Sequence, residues 1–145
     1  MTETDTLDPA SRTDRKRVVV VDDSDFDRRM IRRALSAAGP DGSPRLDIVE
    51  LSGGLGAVDA IRRDPPDLVI LDIRMPGVDG FQVLSAIRAR SEIARTRVVM
   101  ISGSDQPADR QLAREHGADA FYVKPPSASD YLALGETLFQ DHVAP

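Results

Sequence analysis

The sequence predicts an α/β fold built on a five-stranded parallel sheet, and three observations predict it. Short apolar runs alternate five times with longer stretches of helical periodicity. Several of the runs are continuous in Val, Ile and Leu, which suits strands covered on both faces. Most of the runs break off into Asp, Ser or Lys, so polar chemistry gathers where strands end.

The elements follow in order. Met1 to Lys16 is polar, rich in Thr and Asp, and reads as a flexible tail. Arg17 to Val21 is the first strand. Ser24 can cap a helix that turns Phe26, Met30, Ala34 and Leu35 inward, and Gly39-Pro40 ends it. Its outer face carries Arg28, Arg29, Arg32 and Arg33. That run is expected to be a solvated face, or else a docking surface for an acidic or helical partner. Gly39 to Arg45 forms a rather long loop before the second strand, Leu46 to Leu51. Leu55, Val58 and Ile61 mark the second helix, stopped by Pro65-Pro66. Leu68 to Leu71 is the third strand, and Phe81, Leu84 and Ile87 mark the third helix. Arg97 to Ile101 is the fourth strand. Ala108, Leu112 and Ala113 mark a helix ending near Gly117. Ala120 to Val123 is the last strand, and Tyr131, Leu134 and Leu138 mark the fifth helix.

Composition narrows the function. The chain has 145 residues, 41% hydrophobic and 30% charged, as in one soluble globular domain. It has no Cys, which excludes disulfides and thiolate metal sites. His116 and His142 lie far apart and are expected at the surface. A net charge of −5 argues against broad nucleic-acid binding. No apolar run approaches the ~20 residues of a membrane span, and the N-terminus lacks a signal-peptide core. A cytoplasmic setting is expected.

The strand ends carry the chemistry. The first ends in Asp22-Asp23, the third in Asp72, the fourth runs into Ser102-Gly103-Ser104, and the fifth ends in Lys124-Pro125. A parallel sheet brings all of these to one edge. Carboxylates crowded together repel unless a cation is present, and oxygen ligands alone suit Mg²⁺ or Mn²⁺. A carboxylate is also a nucleophile for phosphoryl transfer. A lysine ammonium and a serine hydroxyl could bind the phosphoryl oxygens. Any one of these residues is more simply a cap or turn former; five at successive strand ends are not.

Four segments then carry a resemblance: V-V-V-V-D-D-S, L-V-I-L-D-I-R-M-P-G-V-D-G, V-V-M-I-S-G and F-Y-V-K-P. Together they resemble the receiver domain of bacterial two-component response regulators, the CheY-like superfamily, over about Arg17 to Gln140. The resemblance implies a flavodoxin-like, doubly wound (βα)5 sandwich with strand order 2-1-3-4-5. It implies a receiver domain at 17–140 between a 1–16 tail and a 141–145 tail. Asp72 would accept a phosphoryl group from a phosphohistidine. Asp23 would bind Mg²⁺ directly, with Asp22 helping directly or through water, and Arg74 would offer its backbone carbonyl. Ser102 would be the switch hydroxyl and Phe121 the switch aromatic. Lys124 would pair with the phosphate, and the Lys124–Pro125 bond would be cis. The implied partners are a histidine kinase or histidine phosphotransfer protein and a downstream protein target. Direct nucleic-acid contact and membrane insertion are not expected, nor is an effector domain within these residues.

Three departures from the family pattern stand out. The stretch from Asp23 to Asp72 is long. Gly103 stands where Ala is common. Pro126 follows Pro125 and puts the start of the fifth helix in question. Competing readings are weaker. A phosphatase of the haloacid-dehalogenase kind wants an acid two residues after its nucleophile, where this chain has Arg74. A receiver that works without phosphorylation would have lost an acidic residue or the Lys. Gly53, Gly54 and Gly56 lack a dinucleotide-binding fingerprint and read as a turn leading into a helix.

Overall fold

Valine and isoleucine alternate between the two faces of a strand, and here both faces are covered. The computed structural model describes residues 15–40 and 45–144. Most of the expected tail, part of the expected long loop (41–44) and Pro145 lie outside them. Among the described residues, β1 (Arg15–Val21), β2 (Arg45–Leu51), β3 (Leu68–Asp72), β4 (Val98–Ser102) and β5 (Ala120–Val123) form one sheet. The order is β2-β1-β3-β4-β5, all parallel, so the flavodoxin-like expectation holds. The helices are α1 (Asp25–Ala37), α2 (Ala57–Arg63), α3 (Gly80–Ala89), α4 (Pro107–Glu115) and α5 (Ala128–Leu138). A π-helical turn, Phe139–Val143, follows α5. β1 starts two residues earlier than expected because Arg15 and Lys16 pair with Arg45 and Leu46.

The two faces build two cores. Val18, Val20, Leu68, Ile70, Val99 and Ile101 pack under α1 and α5, against Ile31, Leu35, Leu134 and Leu138 among others. Val19, Val21, Val69, Leu71, Val98 and Met100 pack under α2, α3 and α4. β3 and β4 are buried throughout, which explains their unbroken apolar runs. α1 and α5 cross closely at Gly135, where an added Cβ would stand 2.6 Å from the Ala34 carbonyl carbon, oxygen and Cβ.

Several inward assignments fail for identifiable reasons. Phe26 is 56% exposed, because in the first turn of α1 it is Asp27 that faces inward, toward Lys124 and Tyr131. Leu55 is 90% exposed and sits in the turn before α2. In α4 the buried stripe is Asp109 and Ala113, not Ala108 and Leu112. Asp109 tolerates burial because Arg74 donates to both of its oxygens at 2.8 Å. The arginine face of α1 is not uniformly solvated. Arg28 donates to Glu50 and to the Asp22 carbonyl, and Arg32 to Glu50 and the Ile48 carbonyl, so both tie α1 to the sheet.

The double proline is accommodated simply. The Lys124–Pro125 bond is trans, contrary to expectation, in line with the intrinsic preference of X–Pro bonds. Pro125 and Pro126 precede Ser127, whose hydroxyl caps α5 by accepting from the Asp130 amide.

Candidate phosphoacceptor site

β1 and β3 lie side by side, with Val21 paired to Leu71. Asp22 therefore emerges next to Asp72, and Asp23 one residue further. Carboxylate oxygens of Asp22, Asp23 and Asp72 lie within 4.8 Å of one another. Asp22 and Asp72 are buried at 0% and 3% exposure, while Asp23 faces outward. Arg28 holds the Asp22 carbonyl at 2.6 Å, and the Asp22 side chain accepts from the Ser24 amide at 2.9 Å. The turn after β1 is thus fixed from both sides.

Lys124, at the end of β5, supplies the opposing charge. Its amide donates to the Ser102 carbonyl at 2.7 Å, continuing the β4–β5 pairing. Its ammonium lies 2.8 Å from Asp27, 3.0 Å from Asp22 and 3.4 Å from Asp72. One ammonium does not neutralise this cluster. Burial, then the Asp22 charge, raises the Asp72 pKa from 3.8 to about 7, despite Lys124. Burial also raises Asp22. Burial by itself would lower Lys124, but its contacts with Asp27 and Asp22 outweigh that and hold it above its usual value.

The donor set fits a hard divalent cation. Among the described residues, Asp22 Oδ2 is a buried oxygen with no hydrogen bond, although Lys124 lies within ion-pair range. A cation accepting that lone pair would satisfy it and relieve the carboxylate repulsion. The Arg74 guanidinium is turned away to Asp109 on α4, so its charge is kept off the acidic trio. Ser102, fully buried at the end of β4, accepts from the Ser104 amide at 3.1 Å. Gly103 has open space around it, and a Cβ there would meet nothing. Phe121 on β5 is half-buried, with the Arg110 guanidinium carbon 4.6 Å from its ring centroid.

Two participants escape the sequence reading. Asp27, in the first turn of α1, accepts from Lys124 and from the Tyr131 hydroxyl. The sequence places Tyr131 in the core on α5, and its ring is buried there, yet its hydroxyl reaches the site. The one sequence signal for Asp27 is its place three residues after the Ser24 cap, which reads as ordinary helix-start acidity.

A doubly wound sheet with acidic residues and a lysine at its strand ends is the arrangement of a receiver domain. The chain belongs to the response regulator receiver domain family, whose model matches residues 18–134. The "Probable transcriptional regulatory protein NarL" of Mycobacterium tuberculosis is 40% identical over 109 residues, 74% of this chain and 47% of its own length. The chain thus spans about half the length of the curated relatives it matches. The signal receiver domain of M. tuberculosis NarL superposes with a TM-score of 0.70 at 36% identity, covering 88% of this chain and 98% of that one. The phosphorylated cyanobacterial phytochrome response regulator RcpA shares the fold, with a TM-score of 0.79 at 23% identity over 90% of this chain and 99% of its own. No helix of the described residues is long and apolar enough to cross a membrane.

Proposed function

We propose that this receiver is a phosphoacceptor switch that takes a phosphoryl group on Asp72 from a histidine kinase or histidine phosphotransfer protein. The carrying observation is the convergence of Asp22, Asp23 and Asp72 within 4.8 Å beside Lys124. An Asp72 oxygen attacks phosphorus, the P–N bond to the donor imidazole breaks, and an acyl phosphate forms as the imidazole leaves. Asp22, Asp23, Asp72 and the Arg74 carbonyl would hold Mg²⁺ or Mn²⁺, which offsets charge on the phosphoryl oxygens when bound. Lys124 binds a second phosphoryl oxygen, and Ser102 donates its hydroxyl to a third. Phosphorylation adds about −1.5 to −2 charge at the edge of β3. Ser102 is then drawn inward, Phe121 follows from β5, and the surface of α4, β5 and α5 changes for a downstream protein partner. Movement of Phe121 would break its contact with the Arg110 guanidinium.

The domain does signalling rather than turnover, assisting only its own phosphorylation and dephosphorylation. Intact mass after incubation with acetyl phosphate and Mg²⁺ tests the site. One phosphoryl group is expected on the protein and none on Asp72→Asn. An equal gain in both, or no gain in either, sinks the assignment.

The raised Asp72 pKa gives the metal site a pH dependence. At pH 5.5 Asp72 is largely protonated and binds a cation poorly, whereas at pH 8 it is ionised. Mg²⁺ is therefore expected to raise the melting temperature more at pH 8 than at pH 5.5. Differential scanning calorimetry with and without Mg²⁺ checks this, and equal shifts would count against Asp72 as a ligand.

A further inference from the structure

Asp27 makes the shortest carboxylate contact to Lys124, at 2.8 Å against 3.4 Å for Asp72, although it lies outside the acidic trio suited to a cation. It is held from three directions. The Ser24 hydroxyl accepts from its amide at 3.1 Å, the Lys124 ammonium donates to Oδ2, and the Tyr131 hydroxyl donates to Oδ1 at 2.7 Å. Tyr131 is 2% exposed, so its hydroxyl has little access to water as an alternative partner. The ring is wedged in the core between α1 and α5, where Met30, Ile31 and Leu134 also lie. This fixes where Asp27 can sit. The ammonium meanwhile serves Asp22 and Asp27 at short range, leaving Asp72 its most distant carboxylate of the three. A phosphoryl group on Asp72 would present new acceptors to the same ammonium, and Lys124 has only three N–H donors.

We propose that Asp27, clamped by Tyr131, is a positioning residue for Lys124 that tethers the ammonium in the resting site and competes with phosphoryl oxygens on Asp72 for it. The inference rests on the phosphoacceptor reading above. It makes Asp27 a counterweight to phosphorylation. It also links the site to α5, because the tyrosine that clamps Asp27 belongs to that helix. Lys124 leaving Asp27 changes the charge beside the Tyr131 hydroxyl without any movement of the backbone.

Beryllofluoride with Mg²⁺, a mimic of the phosphoryl group, is the probe. Its affinity is measured by calorimetry for the full chain and for Asp27→Asn and Tyr131→Phe. Asp27→Asn is expected to bind it roughly three- to tenfold more tightly, as loss of one competing charged hydrogen bond would give. Tyr131→Phe should shift affinity in the same direction by a smaller factor. A spectroscopic reading separates positioning from mere packing. The chain has no Trp and two Tyr, so in a Tyr122→Phe background the emission comes from Tyr131. Beryllofluoride should change that emission when Asp27 is present and leave it unchanged in Asp27→Asn. Equal or weaker binding by a folded Asp27→Asn protein overturns the proposal. If that variant does not fold, equal or weaker binding by Tyr131→Phe, which loses a single oxygen, overturns it. A wild-type chain that takes up no beryllofluoride with Mg²⁺ refutes the phosphoacceptor reading itself. Wild-type uptake without the expected tightening refutes only the role of Asp27.

Discussion

Asparagine in place of Asp72 is expected to make the domain more stable above pH 7 while removing the proposed phosphoacceptor. The sign follows from the raised pKa. Asp72 titrates near 3.8 in the unfolded chain and at about 7 in the fold. Below 3.8 both states carry the proton and the residue costs nothing. As pH rises from 3.8 to about 7 the unfolded chain releases its proton more readily, so stability falls. Above 7 the loss is complete, because the folded state then holds a buried carboxylate beside Asp22. A tenfold difference in proton affinity is worth about 1.4 kcal/mol, so the gain for Asp72→Asn is on the order of 2–4 kcal/mol at about pH 8 without divalent metal. Urea unfolding in EDTA at pH 8 and pH 4.5 measures it. The midpoint should rise at pH 8 and rise much less at pH 4.5. A lower midpoint at pH 8 would mean that Lys124 neutralises the cluster better than its 3.4 Å contact indicates.

The second large effect is steric. Gly80 opens α3, and its amide donates to the Ile73 carbonyl at 2.9 Å. A Cβ there would lie 2.3 Å from the Asp72 carbonyl oxygen, 2.9 Å from the Ile73 Cα and 3.0 Å from the Met100 Cε. The methionine end can move, but the two backbone atoms belong to the strand end that carries Asp72. Gly80→Ala is expected to cost about 3 kcal/mol, the upper end of ordinary overpacking, and to weaken Mg²⁺ binding by displacing Asp72. Urea midpoints and a Mg²⁺ titration report the two losses. Gly103→Ala is the control, since it has free space and no positive φ, and it should be neutral or slightly stabilising. Wild-type stability in Gly80→Ala would show that α3 can lift away from β3 at little cost.

What the sequence reveals, and what it hides, has a physical pattern. Asp22, Asp72, Ser102 and Lys124 are legible because each ends a strand, and a parallel sheet aligns strand ends whatever the helices do. The β3 and β4 runs are legible for the same reason, since burial on both faces leaves no polar residue to blur them. Asp27 and Tyr131 are not, because they sit on different helices and 104 positions apart. Their meeting depends on how α1 crosses α5, which no local pattern encodes. Asp109 is hidden by the amphipathic rule itself. Its stripe looks polar until Arg74, from another loop, is placed against it. Arg28 likewise looks like solvent-facing charge until Glu50 and the Asp22 carbonyl come within reach.

The seam between α1 and α5 also bears on the order in which the chain can fold. Met30, Ile31 and Leu35 of α1 find their cover in Tyr131, Leu134, Leu138 and Phe139, close to the other end of the described residues. During synthesis, that apolar strip is exposed until nearly all of the domain has left the ribosome. The central strand pair β1–β3 can form earlier, but one of its faces waits for the last helix. A nascent chain halted before Ala128 would carry a half-covered sheet, a surface for chaperones rather than a finished domain. The close approach of α5 to α1 at Gly135 needs that last helix in place, as does the Tyr131 hydrogen bond to Asp27 beside the lysine.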